Sequence, residues 1–136
     1  MADYDKVGLF TVRDGRVLLC RKKHTTSLLI LPGGCREPDE SSEQCLLREL
    51  REELGHVKVH GLEYLGVYRD VAAGFETTKF VEIELYRGDL EGIPKAQAEI
   101  KELIWFGADD DPAALSPSIR NKIFPDLAAR GLLPWK

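Results

Sequence analysis

Gly33-Gly34-Cys35-Arg36-Glu37-Pro38-Asp39-Glu40, continued through Arg48-Glu49-Leu50-Arg51-Glu52-Glu53-Leu54-Gly55, is the stretch on which the reading of this chain turns. It reads as a glycine-rich loop running into a helix that stops at Gly55, with Ser41 and Gln44 spaced as a capping box at its start. At about 100° per residue, Leu46, Leu50, Leu54 and Leu47 fall on one arc and Glu49, Glu52 and Glu53 on the neighbouring one. Like charges three and four positions apart destabilise a helix by about 0.2–0.5 kcal/mol per pair, so a soluble helix has no structural need for this face. A divalent cation reverses the sign. Carboxylate and carbonyl oxygens are the ligands that Mg²⁺ and Mn²⁺ prefer, and glycines let the backbone come close to such an ion. An acidic helix face alone is commonly just solvated; the glycine loop in front of it shifts the weight toward a metal site.

The spacing also carries a resemblance. Gly34, Glu40 and Arg48-Glu49-Leu50-x-Glu52-Glu53-x-Gly55 together resemble the Nudix box of the MutT-like pyrophosphohydrolases, with every charged and glycine position filled. The final box position, usually a bulky aliphatic residue, is His56, followed by Val57, which suggests a one-residue shift in how the chain leaves the helix. The resemblance implies an α/β fold, a Nudix-type α/β/α sandwich with a mixed β-sheet between helices. It spans a single domain of residues 1–136 with the box at 34–56. It further implies that Glu53 is the principal metal ligand, with Glu49, Glu52 and the carbonyl of Gly33 beside it. Arg48 and Glu40 support the catalytic carboxylates. Glu99, six positions before Trp105, fits a late metal-cluster glutamate or auxiliary base, with Glu102 as its rival and an ordinary loop charge as the bland reading of both. Glu49 is the first candidate to take the proton from attacking water, a role that varies within the family. The implied cofactor is Mg²⁺, or Mn²⁺.

The chain has 136 residues, 43% of them hydrophobic, enough for one core of ordinary domain size. No apolar run approaches the roughly 18 residues of a membrane span, and Met1-Ala2-Asp3-Tyr4-Asp5 lacks the basic and apolar regions of a signal peptide. The expectation is a cytoplasmic protein without a membrane partner. Cys20, Cys35 and Cys45 show no zinc-ligand pairing and are expected to be reduced thiols. The formal charge of −4 and the absence of a basic stripe argue against polymeric nucleic acid. A small anionic substrate fits, because a bound metal and local cations override a modest net charge.

Around this centre, residues 6–12 and 16–21 read as two strands joined by the hairpin dipeptide Asp14-Gly15. The second ends in Arg21-Lys22-Lys23-His24, either a solvated basic loop or a place where Arg21 or Lys22 meets substrate phosphate, as the resemblance implies. Residues 27–31 read as a short apolar strand. Cys35 reads as a passive neighbour of the site, since nothing supplies it with a base. Residues 57–70 and 77–88 are strand-like around a turn at 71–76, with Val81, Ile83 and Leu85 on an apolar face and Glu82, Glu84 and Tyr86 on a polar one. Glu82 and Glu84 are expected to face water, with lining the substrate cleft as the alternative. Tyr68 and Phe75 are aromatic candidates for stacking on a base, with core or hairpin packing as the competing role. Asp109-Asp110-Asp111 reads as helix-entry polarity, with contact to a base as the alternative, and Ser116-Pro117 as an N-cap followed by proline at the first helical position. Leu115, Ile119, Ile123 and Leu127 repeat every four residues to pack a helix, with a kink or restart at Pro125 and a stop at Gly131.

The function expected is Mg²⁺-dependent hydrolysis of the pyrophosphate linkage in a nucleoside diphosphate joined to another group. The leading case is a nucleoside triphosphate giving monophosphate and pyrophosphate. ADP-ribose or dinucleoside polyphosphate hydrolysis is an alternative, as is a non-catalytic nucleotide-sensing module. The partner is a small nucleotide, and the chain acts as a monomer or homodimer.

Overall fold

The computed structural model describes residues 2–24, 27–72 and 79–135. Among the described residues, seven strands form two sheets. The first is four-stranded and mixed: β1 (Tyr4–Phe10) runs antiparallel to β4 (Gly33–Cys35) on one side and parallel to β6 (Phe80–Glu91) on the other. The fourth strand, β5 (Lys58–Val71), pairs antiparallel with β6. The second sheet is antiparallel, in the order β2 (Val12–Arg13), β3 (Arg16–Lys22) and β7 (Ile100–Phe106).

The apolar run at the N-terminus thus divides at Thr11, one part in each sheet, and the expected hairpin is reduced to β2 and β3. Its turn is as read: Asp14 and Gly15 take φ of 53° and 76°, the positive values a two-residue connection needs. Gly33 to Cys35, expected as loop, is strand, paired through Val7↔Gly34 and Gly8↔Gly33. Residues 27–31 form no strand; Leu29 and Ile30 make only isolated bridges to Leu115 and Cys20.

Helix α1 (Ser42–Leu54) begins with the expected capping box. Ser41 Oγ accepts from Gln44 N–H at 3.1 Å, and Gln44 Oε1 accepts from Ser41 N–H at 2.9 Å. It ends at Gly55, whose N–H reaches the Arg51 carbonyl. His56 is exposed, while Val57 packs against the core, which is the one-residue shift that the unusual last box position suggested.

Two apolar clusters lie on opposite faces of the strands. Val7, Leu9 and Leu18 pack with Cys45, Leu46, Leu50 and Leu54 of α1. Phe10, Val17, Leu19, Val81, Ile83, Leu85 and Phe106 pack with Leu115, Ile119, Ile123, Phe124 and Leu127 of the C-terminal segment. Each fully buried leucine or isoleucine contributes about 1.5–3 kcal/mol through removal of apolar surface from water. Strands between two helical layers make the α/β/α sandwich.

The C-terminal helix departs from its simple reading. Ile119–Ile123 is a π-helical turn, closed by Phe124 N–H on the Ile119 carbonyl, and α2 (Phe124–Ala129) follows. Pro125 has no N–H to offer the preceding turn, so the helix widens just before it. Ser116 does not act as a cap, because its Oγ is buried and has no hydrogen-bond partner. The aspartate run serves a separate 3-10 turn, Pro112–Ala114, rather than the helix after it: Asp111 caps that turn by accepting from Ala113 N–H at 2.9 Å, and Asp110 accepts from Gly107 N–H at 2.7 Å just before it.

Candidate active site

Glycine strand β4 and helix α1 meet where two close approaches forbid a side chain. Gly33 has φ +138°, and a Cβ there would lie 2.0 Å from the Val7 carbonyl oxygen. A Cβ on Gly34 would lie 2.4 Å from the Glu49 carboxyl carbon, so Glu49 rests on bare backbone. Glu53 is only 6% exposed, and its Oε1 accepts the Gly33 N–H at 2.9 Å. Burial pushes the Glu53 carboxyl up to about 7, and the charge of Glu49 adds to the rise. The Gly33 N–H, Lys22 and Lys6 act the other way. Burial also raises Glu49, partly offset by Arg48.

Arg48 is the hub of the acidic face. It donates to both oxygens of Glu40, at 2.6 and 3.0 Å, to Glu49 at 2.9 Å and, more loosely, to Glu52 at 3.5 Å. A further N–H reaches the Cys35 carbonyl at 3.2 Å. This paired donation holds the Glu40 carboxyl down at about 2. Glu40 in turn accepts from Glu37 N–H at 3.0 Å, which fixes the bend between strand and helix.

The buried arc of α1 is turned toward the acids. Leu46, Leu50 and Leu54 are buried as expected, but Leu47 is 44% exposed, and Cys45 and Glu53 join the buried set. Among the described residues, no three His, Cys, Asp or Glu side chains already converge at metal-ligand distance. Arg48 lies against Glu49 and Glu52, while Glu53 is held by Gly33. The donor chemistry nonetheless fits a hard divalent cation. Glu49 occupies a cradle that any Cβ on Gly34 would fill, and a buried Glu53 stands within reach of its charge.

Of the other expected site residues, Lys22 sits close enough to Glu53 and Glu49 for its charge to lower both. The Arg21 guanidinium is engaged elsewhere, donating to the Ser27 carbonyl at 2.7 Å and pairing with Glu102. That pairing occupies the expected rival of Glu99. Glu99 is exposed, and its carbonyl accepts from Lys23 N–H at 2.9 Å, which leaves its carboxylate outside the Arg48 network of the box acids. Phe75 lies outside the described residues. Tyr68 packs against the C-terminal cluster and hydrogen-bonds to Asp126, so it serves the core.

Glu84 does not face water as expected. It accepts from Arg36 at 2.6 Å, Ser42 at 2.9 Å and Tyr86 at 3.0 Å. Burial would raise its carboxyl, but these hydrogen bonds outweigh it and the net direction is down. Lys6, which the sequence presents only as the opening of an apolar run, lies near Glu53, Lys22 and Cys35.

The sequence model of the NUDIX domain matches residues 5–127, and the chain belongs to that family. It is 35% identical over 116 residues to an isopentenyl-diphosphate Delta-isomerase of Ruegeria pomeroyi, with 76% of this chain and 62% of the relative covered. It therefore spans less than two thirds of that protein. It is 28% identical over 116 residues to the 8-oxo-dGTP diphosphatase of Escherichia coli, covering 83% of this chain and 90% of the relative. The crystal structure of a MutT NUDIX hydrolase from Burkholderia pseudomallei superposes with a TM-score of 0.70 at 28% identity, over 83% of this chain and 89% of that one. Nudix hydrolases act on small nucleotide derivatives and generally use divalent metals. No helix among the described residues is long and apolar enough to cross a membrane.

Proposed function

We propose that this chain hydrolyses the pyrophosphate linkage of a nucleoside diphosphate joined to another group, with nucleoside triphosphates, giving monophosphate and pyrophosphate, as the leading substrates. The observation that carries this reading is the buried Glu53 held by Gly33 N–H beside a Glu49 seated on Gly34. Two acids are drawn into a poorly solvated corner, an arrangement that a divalent cation and a diphosphate would relieve. The match to the 8-oxo-dGTP diphosphatase supports nucleotide chemistry, since it covers 90% of that protein against 62% of the isomerase.

Glu53, Glu49, Glu52 and the Gly33 carbonyl would hold Mg²⁺, or Mn²⁺, with exposed Glu99 available as a further ligand. Bound there, the ion would neutralise phosphate charge and lower the pKa of water. Glu49 takes the proton as the water oxygen bonds to phosphorus and the anhydride P–O bond breaks, the leaving phosphate departing with the electron pair. Arg48, anchored by Glu40, orients Glu49 and Glu52 for these roles. Lys22 places positive charge beside Glu53 for a substrate phosphate; Arg21 is the weaker candidate, being spent on Ser27 and Glu102. Phe75 is the proposed stacking partner for the base.

Release of phosphate or pyrophosphate, with and without Mg²⁺, from canonical and oxidised nucleotides, ADP-ribose and diadenosine polyphosphates tests the reaction. Glu53→Gln is expected to abolish Mg²⁺-dependent turnover without loss of fold, since the amide oxygen still accepts the Gly33 N–H. Unchanged turnover in that variant would remove the assignment. Binding without release across the whole panel would instead indicate a sensing module.

A further inference from the structure

We infer that Glu84 of β6 is a positioning residue for the proposed reaction: through Arg36 and Ser42 it fixes the span of the strand-to-helix loop on which Arg48 and Glu49 depend. This rests on the hydrolysis proposed above and adds residues that lie outside its machinery. Gly34, Val7 and Glu84 stand in one row across β4, β1 and β6, so Glu84 lies two strands from the glycine that seats Glu49. One of its carboxylate oxygens, Oε2, accepts from Arg36 Nη2 at 2.6 Å and from Ser42 Oγ at 2.9 Å. Arg36 stands just after β4, and Ser42 is the first residue of α1. Arg36 Nη1 closes the triangle by donating to Ser42 Oγ at 2.6 Å. A single oxygen on the sheet thus holds both ends of the loop.

The loop needs such a brace, and the Arg48 network needs the loop. Within it Asp39 takes φ 66°, left-handed backbone that a residue with a side chain adopts at a cost. The peptide between Cys35 and Arg36 is held from both sides: its carbonyl accepts from Arg48 at 3.2 Å, and its N–H donates to the Asp5 carbonyl at 3.2 Å. At the far end Glu40, which takes two hydrogen bonds from Arg48, lies two residues before Ser42. Arg48 therefore draws on both ends of the segment that Glu84 closes. Its 2.9 Å bond to Glu49 passes their spacing to the carboxylate proposed as base. Charge-assisted hydrogen bonds of this length restrict geometry more than neutral ones do. Tyr86 is bonded to the same carboxylate through its other oxygen, Oε1, at 3.0 Å, so the triangle stands without it.

With Mg²⁺ and a nucleoside triphosphate, Glu84→Gln is expected to lower kcat about tenfold while KM changes less than about twofold, the mark of a reacting group misplaced with substrate contacts intact. Ser42→Ala and Arg36→Gln, each opening one side of the triangle, should lower kcat in the same way. Tyr86→Phe removes a hydrogen bond to the same carboxylate and should leave kcat unchanged, whatever it does to the urea midpoint. In EDTA and without nucleotide, the ¹⁵N resonance of Arg48 Nε, which donates to Glu40 at 2.6 Å, should move in Glu84→Gln and stay in Tyr86→Phe. An Arg48 resonance that stays in Glu84→Gln, or a kcat loss in Tyr86→Phe equal to that in Ser42→Ala, overturns the inference. Should Glu84→Gln not fold, an unmoved Arg48 resonance in Ser42→Ala overturns it equally, since that variant leaves the carboxylate in place. If the wild-type protein hydrolyses no nucleotide while Arg48 still moves in Glu84→Gln, the brace stands and the proposed reaction falls.

Discussion

Gly33 and Gly34 are adjacent, yet they meet different obstacles, and their alanine variants should separate fold from chemistry. At Gly33 the obstacle is the Val7 backbone, 2.0 Å from a built Cβ, combined with φ +138°. Gly33→Ala should therefore destabilise the protein by about 3 kcal/mol or more, measured by urea unfolding. At Gly34 the obstacle is the end of a flexible side chain, the Glu49 carboxylate. Gly34→Ala should change stability by less than about 1 kcal/mol but displace Glu49 and lower turnover at least about tenfold. Equal stability losses in the two variants would contradict this division. Helical period made the shared face of Glu49, Glu52 and Glu53 legible in the sequence. It did not show that Glu53 would be buried and Leu47 exposed, because the two sheets set which arc of α1 is covered. The nearness of Lys6 to Glu53 was not legible either, because it comes from a register with Cys35 that is not local in sequence.

Among the elements, α1 was legible down to its cap, since Ser41, Gln44 and Gly55 each act within one turn of their own position. The C-terminal segment was less so. Its apolar positions Leu115, Ile119, Ile123 and Leu127 are all buried as their spacing implies, but the π-helical turn before Pro125 and the failure of Ser116 to cap depend on packing. Ser116 keeps a buried hydroxyl without a partner, which costs about 1–3 kcal/mol relative to an apolar group of the same shape. Ser116→Ala should accordingly leave stability unchanged or raise it by about 1 kcal/mol, as read from the denaturation midpoint. A clear loss would mean that the hydroxyl is satisfied in solution.

For the molecule as a whole, stability in EDTA should respond to pH in two windows of opposite slope. Glu40, Glu84 and Asp126 have pKa values held down in the fold, Glu40 to about 2. The folded state binds fewer protons there, so their stabilisation is present above the unfolded values, 4.5 for Glu and 3.8 for Asp, and is lost as pH falls below them, for Glu40 toward about 2. Glu53 acts in the other direction, raised to about 7: its contribution is full below 4.5 and disappears as pH rises through 7. Urea midpoints from pH 2 to 8 should show both limbs, and Glu53→Gln should flatten only the upper one. The layered α/β class followed from alternating strand and helix signals, but the division into two sheets did not, because only a single buried residue, Thr11, marks the crossing. Thr11 also accepts the Leu18 N–H at 3.1 Å, riveting the sheets together at that end. A bulkier residue there would keep that backbone bond but wedge the bend, and the two sheets would answer to it like the covers of a book whose spine is thickened.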